Sequence, residues 1–186
     1  MIAWIITGCL VMASLWAIFI YNRFVTIAND VENAWSQIDV QLKRRYDLVP
    51  NLVAAVKGYM EYEKQVIEKV ATARMTALSV NRIRDKAAAE DGLSHELNRL
   101  FALMEGYPDL KANQHVMRLQ EELVSTENRI AFSRQLYNDL VANFMTRREV
   151  FPDQIIAALL NIREMEYFSV DHKDRSFPAA KEFSRP

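Results

Sequence analysis

The first 21 residues, MIAWIITGCLVMASLWAIFIY, carry no Lys, Arg, Asp or Glu, and every charged residue of the 186-residue chain follows Tyr21. A run of this length and apolarity suits an α-helix that crosses a hydrocarbon core about 30 Å thick. Its polar side chains are few, at Thr7, Cys9 and Ser14. Hydroxyls can bond back to helix carbonyls, so they do not veto insertion. Trp4 and Tyr21 stand near the two ends, where amphipathic rings favour the membrane–water interface. A cleaved signal peptide would need a basic start and a shorter apolar core. Ile6-Thr7-Gly8-Cys9 has the form of a lipidation box, but only eight residues precede Cys9 and the apolar run continues to Ile20. Cys9 therefore reads as a small apolar side chain in the membrane. No basic residue precedes the span and Arg23 follows it at once. By the positive-inside rule the N-terminus lies outside and the rest of the chain in the cytoplasm.

Composition narrows the remaining choices. With 23 basic and 24 acidic residues the net charge is −1, and a dedicated nucleic-acid binder would show a basic surplus. One Cys leaves no disulfide framework and no multi-cysteine metal site. Four Gly give about 2% against a usual ~7%, which favours long helices over turns. No Gly-rich phosphate loop is present.

Apolar spacing then gives a succession of helices. Val31, Trp35, Ile38, Leu42 and Val49 form one stripe, interrupted by Arg45 with Tyr46 beside it. With no breaker after Ile20, the membrane helix is expected to run on to about Leu48, where Pro50 marks a kink or boundary. Val53, Val56, Met60, Ile67, Val70 and Ala77 form a second stripe that contains Gly58. Residues 81–91 read either as a solvated helix extension or as a linker, and Asp91-Gly92 as a turn. Leu93, Leu97, Leu100 and Met104 follow, ended by Gly106-Tyr107-Pro108. The clearest pattern comes next. Val116, Leu123, Ile130, Tyr137 and Phe144 recur every seven residues, with Leu119, Thr126, Ser133 and Leu140 three further on. This is a heptad seam with a small, partly polar centre, and Asn113 is placed to cap it. Phe151-Pro152 opens a short apolar segment, 154–168, and the polar residues 169–186 read as a disordered tail.

The expected fold is all-α: an N-terminal transmembrane helix, 1–21, continuing into an antiparallel bundle of about four long helices, 22–168. Up-down connections are the simplest packing of such segments.

Reactive constellations are missing from this pattern. No Glu precedes His95, His115 or His172 by three positions, which removes the Glu-x-x-His element of di-metal bundles. No G-x-S-x-G occurs. Carboxylates such as Glu61, Glu63, Glu121 and Glu122 fit a solvated face. Lys43-Arg44-Arg45 fits one too, pairing with Asp39 and Asp47; contact with anionic lipid would require the helix to bend. Glu127-Asn128-Arg129 and Tyr137-Asn138-Asp139 could form an interhelical network, which more often fixes register than reacts. Catalytic, cofactor-binding and metal-ligating residues are accordingly expected to be none, with no cofactor, no nucleic acid and no small-molecule substrate.

Several stretches resemble a known family. Gln41-Leu42-Lys43-Arg44-Arg45-Tyr46-Asp47-Leu48-Val49-Pro50-Asn51-Leu52-Val53 is similar to a signature of the bacterial LemA family. Glu105-Gly106-Tyr107-Pro108-Asp109-Leu110-Lys111-Ala112-Asn113, Glu127-Asn128-Arg129-Ile130-Ala131, Tyr137-Asn138-Asp139 and Phe151-Pro152 follow in the family's order. Asn143-Phe144 stands where the family often has a second Tyr-Asn pair, and residues 81–91 and the tail follow no family pattern. The resemblance implies a single-pass protein of the bacterial inner membrane with an outer N-terminus and a cytoplasmic helical domain. It transfers no catalytic residue. It suggests links to membrane organisation, through magnetosome relatives, and to envelope proteases, through gene neighbourhood. The expected role is a non-enzymatic, membrane-anchored interaction or adaptor protein that binds a protein partner or another copy of itself. The alternative is an oligomeric scaffold that organises or remodels the membrane.

Overall fold

A computed structural model describes residues 1–60 and 62–169. The described chain is helical with no strand. Its helices are α1 (Ile2–Val56), α2 (Lys64–Ser79), α3 (Ile83–Met104), α4 (Pro108–Ala112), α5 (Gln114–Glu149) and α6 (Asp153–Leu159). The fold class is the expected one. The expectation of a disordered tail concerns residues that, beyond Ser169, lie outside those described.

At 1.5 Å per residue α1 is ~82 Å long. Before Ile20 it buries nothing except part of Ala17, which leaves an apolar cylinder long enough to cross a membrane. Thr7 and Ser14 donate their hydroxyl protons to the carbonyls of Ala3 and Leu10, each at 2.9 Å, so neither leaves a polar group unsatisfied there. From Ile20 onward one stripe of α1 turns inward, through Phe24, Ile27, Val31, Ala34, Ile38, Leu42, Val49, Leu52 and Val56.

That stripe packs along the antiparallel α5. Phe24 meets Phe144 edge-on at 5.6 Å, Trp35 meets Tyr137 at 5.5 Å, and Arg44 reaches Glu122 at 3.4 Å. The α5 seam buries Val116, Leu119, Leu123, Thr126, Ile130, Ser133, Tyr137 and Phe144 as the spacing predicts. Leu140 is only half-buried and Val141 replaces it. A straight helix of 3.6 residues per turn drifts away from a strict seven-residue repeat, and here the drift appears after Tyr137. Asn113 caps α5 as expected, its side-chain oxygen accepting from the backbone N–H groups of His115 and Val116 at 3.0 and 3.4 Å.

The hairpin α2–α3 covers the half of the α1–α5 pair farther from the apolar end of α1. The half nearer that end is covered by α6 and the chain after it. There Tyr137 donates to the Glu166 carbonyl at 2.8 Å, and Asn138 exchanges two hydrogen bonds with the Phe168 backbone, at 2.9 and 3.3 Å. Phe168 is fully buried, edge-on to Trp35 at 5.3 Å and under the Arg134 guanidinium at 5.0 Å. The short apolar segment 154–168 is thus helix only to Leu159, and its remainder is held through backbone hydrogen bonds.

Three boundaries differ from the expectation. Gly58 is not inside a helix but in the turn between α1 and α2. The reversal expected at Asp91-Gly92 lies earlier, between Ser79 and Ile83, and α3 runs through Gly92. Ala87, Glu90, Leu93 and Leu97 supply a continuous buried stripe across that point. Asp91 is also paired with Arg134. The third difference is Pro50, which does not end α1. A proline inside a helix leaves the carbonyl four residues back without its N–H partner. That carbonyl belongs to Tyr46, and Arg74 of α2 donates to it through Nε at 2.7 Å. A side chain of the neighbouring helix thereby supplies the donor that the proline lacks.

Arg74→Ala should lower stability by about 1–3 kcal/mol, the cost of an unsatisfied buried acceptor. In a Pro50→Ala background, where residue 50 regains its N–H, the same change should cost clearly less. Denaturant unfolding of the four proteins measures this coupling; equal costs in both backgrounds would exclude it.

Candidate functional site: a buried charge network and an open groove

Arg45 was expected on a solvated face, but it is fully buried. Its position explains this. Ile38, Leu42, Arg45 and Val49 are spaced by four, three and four, so Arg45 lies on the core side of α1. Lys43 and Arg44 point outward, and only those two keep the expected exposure.

Two carboxylates meet the guanidinium. Nη2 donates to the Glu90 carboxylate and, at 3.2 Å, to the Glu90 carbonyl. Nη1 donates to the Glu127 carboxylate and to Ser94 Oγ at 2.9 Å. Ser94 Oγ lies 2.6 Å from Glu127 Oε1 and 3.1 Å from the Glu90 carbonyl. The Tyr46 hydroxyl donates to the second oxygen of Glu90. Burial, then the hydrogen bond to Glu90, raises the Tyr46 pKa far above its ordinary value, so the hydroxyl keeps its proton. Glu90 is as buried as Arg45, whereas the Glu127 side chain is 41% exposed. The excess negative charge of the trio therefore has access to solvent. One cation joins α1, α3 and α5, so Glu127 enters an interhelical network, whereas Asn128 and Arg129 line the groove described below.

Glu90 was not foreseen, because residues 81–91 looked solvated. Its signal lay in the spacing Ala87, Glu90, Leu93, Leu97: an acid on an apolar stripe, matched by a base on the apolar stripe of α1. The other singled-out residues do not converge on this network. His95 and His115 are exposed on separate helices, and His172 lies outside the described residues. Among the described residues no group of three or more His, Cys, Asp or Glu is placed to hold a metal.

The opposite side of the α1–α5 pair carries a groove of about 940 Å³. Ser36, Gln37, Val40 and Gln41 form its α1 wall, and α5 lines it from Met117 to Ser133. Val40, Val124 and Phe132 are large apolar residues left exposed here, Phe132 at 71%. Glu121 and Arg129 are its only charged lining residues. Gln41 Oε1, in the groove wall, is buried without a hydrogen-bond donor.

Arg45→Met should destabilise the protein by about 3–5 kcal/mol, because it leaves Glu90 buried without its counter-charge. Adding Glu90→Gln and Glu127→Gln to Arg45→Met should recover part of that loss. Denaturant midpoints of the single and triple variants test this, and a triple variant less stable than Arg45→Met would contradict it.

Magnetosome protein MamQ of Magnetospirillum gryphiswaldense is 24% identical over 174 residues, 80% of this chain. Magnetosome protein MamQ 2 of Paramagnetospirillum magneticum is equally similar. The chain spans 64% of the length of these relatives. Protein LemA of Metamycoplasma hominis is 24% identical over 158 residues, 83% of this chain and 71% of that protein. The family model described as "LemA family" matches residues 34–181, a range that holds Arg45, Glu90, Glu127 and both walls of the groove, and the chain belongs to that family.

Proposed function

We propose that this chain is a membrane-anchored interaction protein. Residues 1–21 are its anchor in a bacterial cytoplasmic membrane, residues 22–168 its cytoplasmic domain, and the α1–α5 groove the place where a helix of a protein partner docks. The groove is the observation that carries this reading. Its α5 wall from Met117 to Ser133 is ~24 Å long at 1.5 Å per residue, a length that suits a partner helix of four to five turns. A third helix seated between two packed helices follows ordinary ridge-and-groove geometry.

The chemistry of the walls favours a protein occupant. Charge depletion with exposed aromatic and aliphatic anchors is the composition of an interface core. Gln41 Oε1 offers an acceptor that a donor on the incoming helix would satisfy. The role is one of binding rather than catalysis, because the buried charges are consumed in holding α1, α3 and α5 together. A second reading, the oligomeric scaffold that organises or remodels a membrane, draws on the similarity to proteins named as magnetosome components.

A photo-crosslinking residue in place of Val124 should capture a specific protein in intact cells. Phe132→Asp should abolish that adduct while leaving the melting temperature nearly unchanged, because Phe132 is exposed. Adducts only with a second copy would favour the scaffold, and no protein adduct would reject the groove as a docking place. Orientation has a separate test. With Cys9 in the membrane, a cysteine introduced at the exposed His115 should react with an impermeant maleimide only after cell lysis. Reaction in intact cells would place the domain outside.

A further inference from the structure

The end of the helical domain nearest the charge-free segment is itself apolar on the outside. Val150, Phe151, Ile155, Leu159 and Leu160 are all exposed, Leu159 at 77%, while Ile156 and Ala157 of the same short helix face the core. Their height along α1 is fixed by neighbouring contacts. Phe144 meets Phe24, and α5 continues antiparallel to α1 for five residues, to Glu149. At 1.5 Å per residue this is ~7 Å, which brings the end of α5 level with Phe19, next to Ile20. Burial agrees: Ile20 and Phe24 are covered, whereas α1 before Ile20 is bare apart from Ala17. The exposed apolar residues of the α5–α6 turn and of α6, which packs against both α1 and α5, therefore lie beside α1 at the height where its charge-free surface begins. The two apolar surfaces are continuous.

Guanidinium groups stand at the same height. Arg23 and Arg147 line a recess of about 430 Å³ together with Phe19, Asn22, Thr26 and Asn143. Arg147 bonds Asp153 through Nη1 at 3.3 Å, and its Nε is buried without a partner.

We propose that the α5–α6 turn and α6 form a second membrane contact, resting in the interfacial layer of the same bilayer leaflet through which α1 leaves the membrane. Val150, Phe151, Ile155, Leu159 and Leu160 sit among the upper acyl segments, and the recess of Arg23 and Arg147 faces lipid phosphates. The proposal rests on reading residues 1–21 as a membrane span. In water these five side chains would be an exposed apolar patch of the kind soluble proteins avoid. At the interface they are solvated by lipid, as the apolar face of a surface-lying helix is. A lipid surface fits better than a protein partner because the patch is level and continuous with the span, so the bilayer already occupies that height.

The test uses the full chain with Cys9→Ser in vesicles of phosphatidylethanolamine and phosphatidylglycerol. Single cysteines at Leu15, Leu159 and Val40, each carrying one fluorophore, are quenched by nitroxide on lipid acyl chains or by aqueous iodide. Leu15→Cys and Leu159→Cys should both be quenched several-fold more by the lipid nitroxide than by iodide, and Val40→Cys the reverse. Leu159→Cys behaving like Val40→Cys while Leu15→Cys reports lipid would overturn the second contact and leave the anchor standing. Leu159→Cys shielded from both quenchers would also overturn it, by showing protein cover instead. Leu15→Cys open to iodide would overturn the membrane span, and the second contact with it.

Discussion

The arrangement of the helices depends on one buried cation. Arg45 lies on the core side of α1, and its charge is met by acids from two other helices, Glu90 of α3 and Glu127 of α5. Removing charges from water is costly, and a buried ion pair is a weak source of net stability. Its effect is on choice. If α3 slid by one turn along α1, Glu90 would lose its partner, and if α5 slid, Glu127 would lose its own. Apolar stripes alone tolerate such slips, because Leu and Val pack nearly as well one turn along. The network of Arg45, Tyr46, Glu90, Ser94 and Glu127 penalises them.

Pro50 shows the same principle on the backbone. The proline removes a donor, and a residue distant in sequence, Arg74, replaces it at the Tyr46 carbonyl. Tyr46 is thus held twice, by its hydroxyl on Glu90 and by its carbonyl under Arg74. Both constraints act on this one residue of α1. Together they keep that helix unbroken beyond the point where local rules would stop it.

Local pattern made the architecture legible. The apolar segment, the α5 seam, the Asn113 cap and the stops near Pro108 and Pro152 follow from spacing and from residue chemistry within a few positions. The features misread at Arg45, Pro50 and Glu90 depend on partners far along the chain. Arg45 looked solvated because Asp39 and Asp47 were the nearest acids in sequence, while its true partners lie 45 and 82 residues away. Pro50 read as a kink or boundary because Arg74, which supplies the missing donor, belongs to another helix. Residues 81–91 stayed open between a solvated helix and a linker because Glu90 is apolar-stripe material only once Arg45 is opposite it. The groove was not legible at all. Val40 and Phe132 are single apolar residues on polar faces, and only the closeness of α1 and α5 puts them on one surface.

The continuity of α1 from Ile2 to Val56 has a mechanical meaning. Nothing in it acts as a joint between the segment suited to the membrane and the wall of the groove, and Pro50 lies past both. With residues 1–21 in a bilayer, as proposed above, a helix braced along one side by α5 would act as a lever whose fulcrum is the bilayer surface. The distance from Tyr21 to Val56 is ~52 Å at 1.5 Å per residue. A tilt of roughly 10° at the fulcrum would swing the far end through about 9 Å at that length. The thickness and packing of the lipid around residues 1–21 would then set where the groove and the tip beyond it stand above the membrane, so the domain's reach is adjustable from within the bilayer.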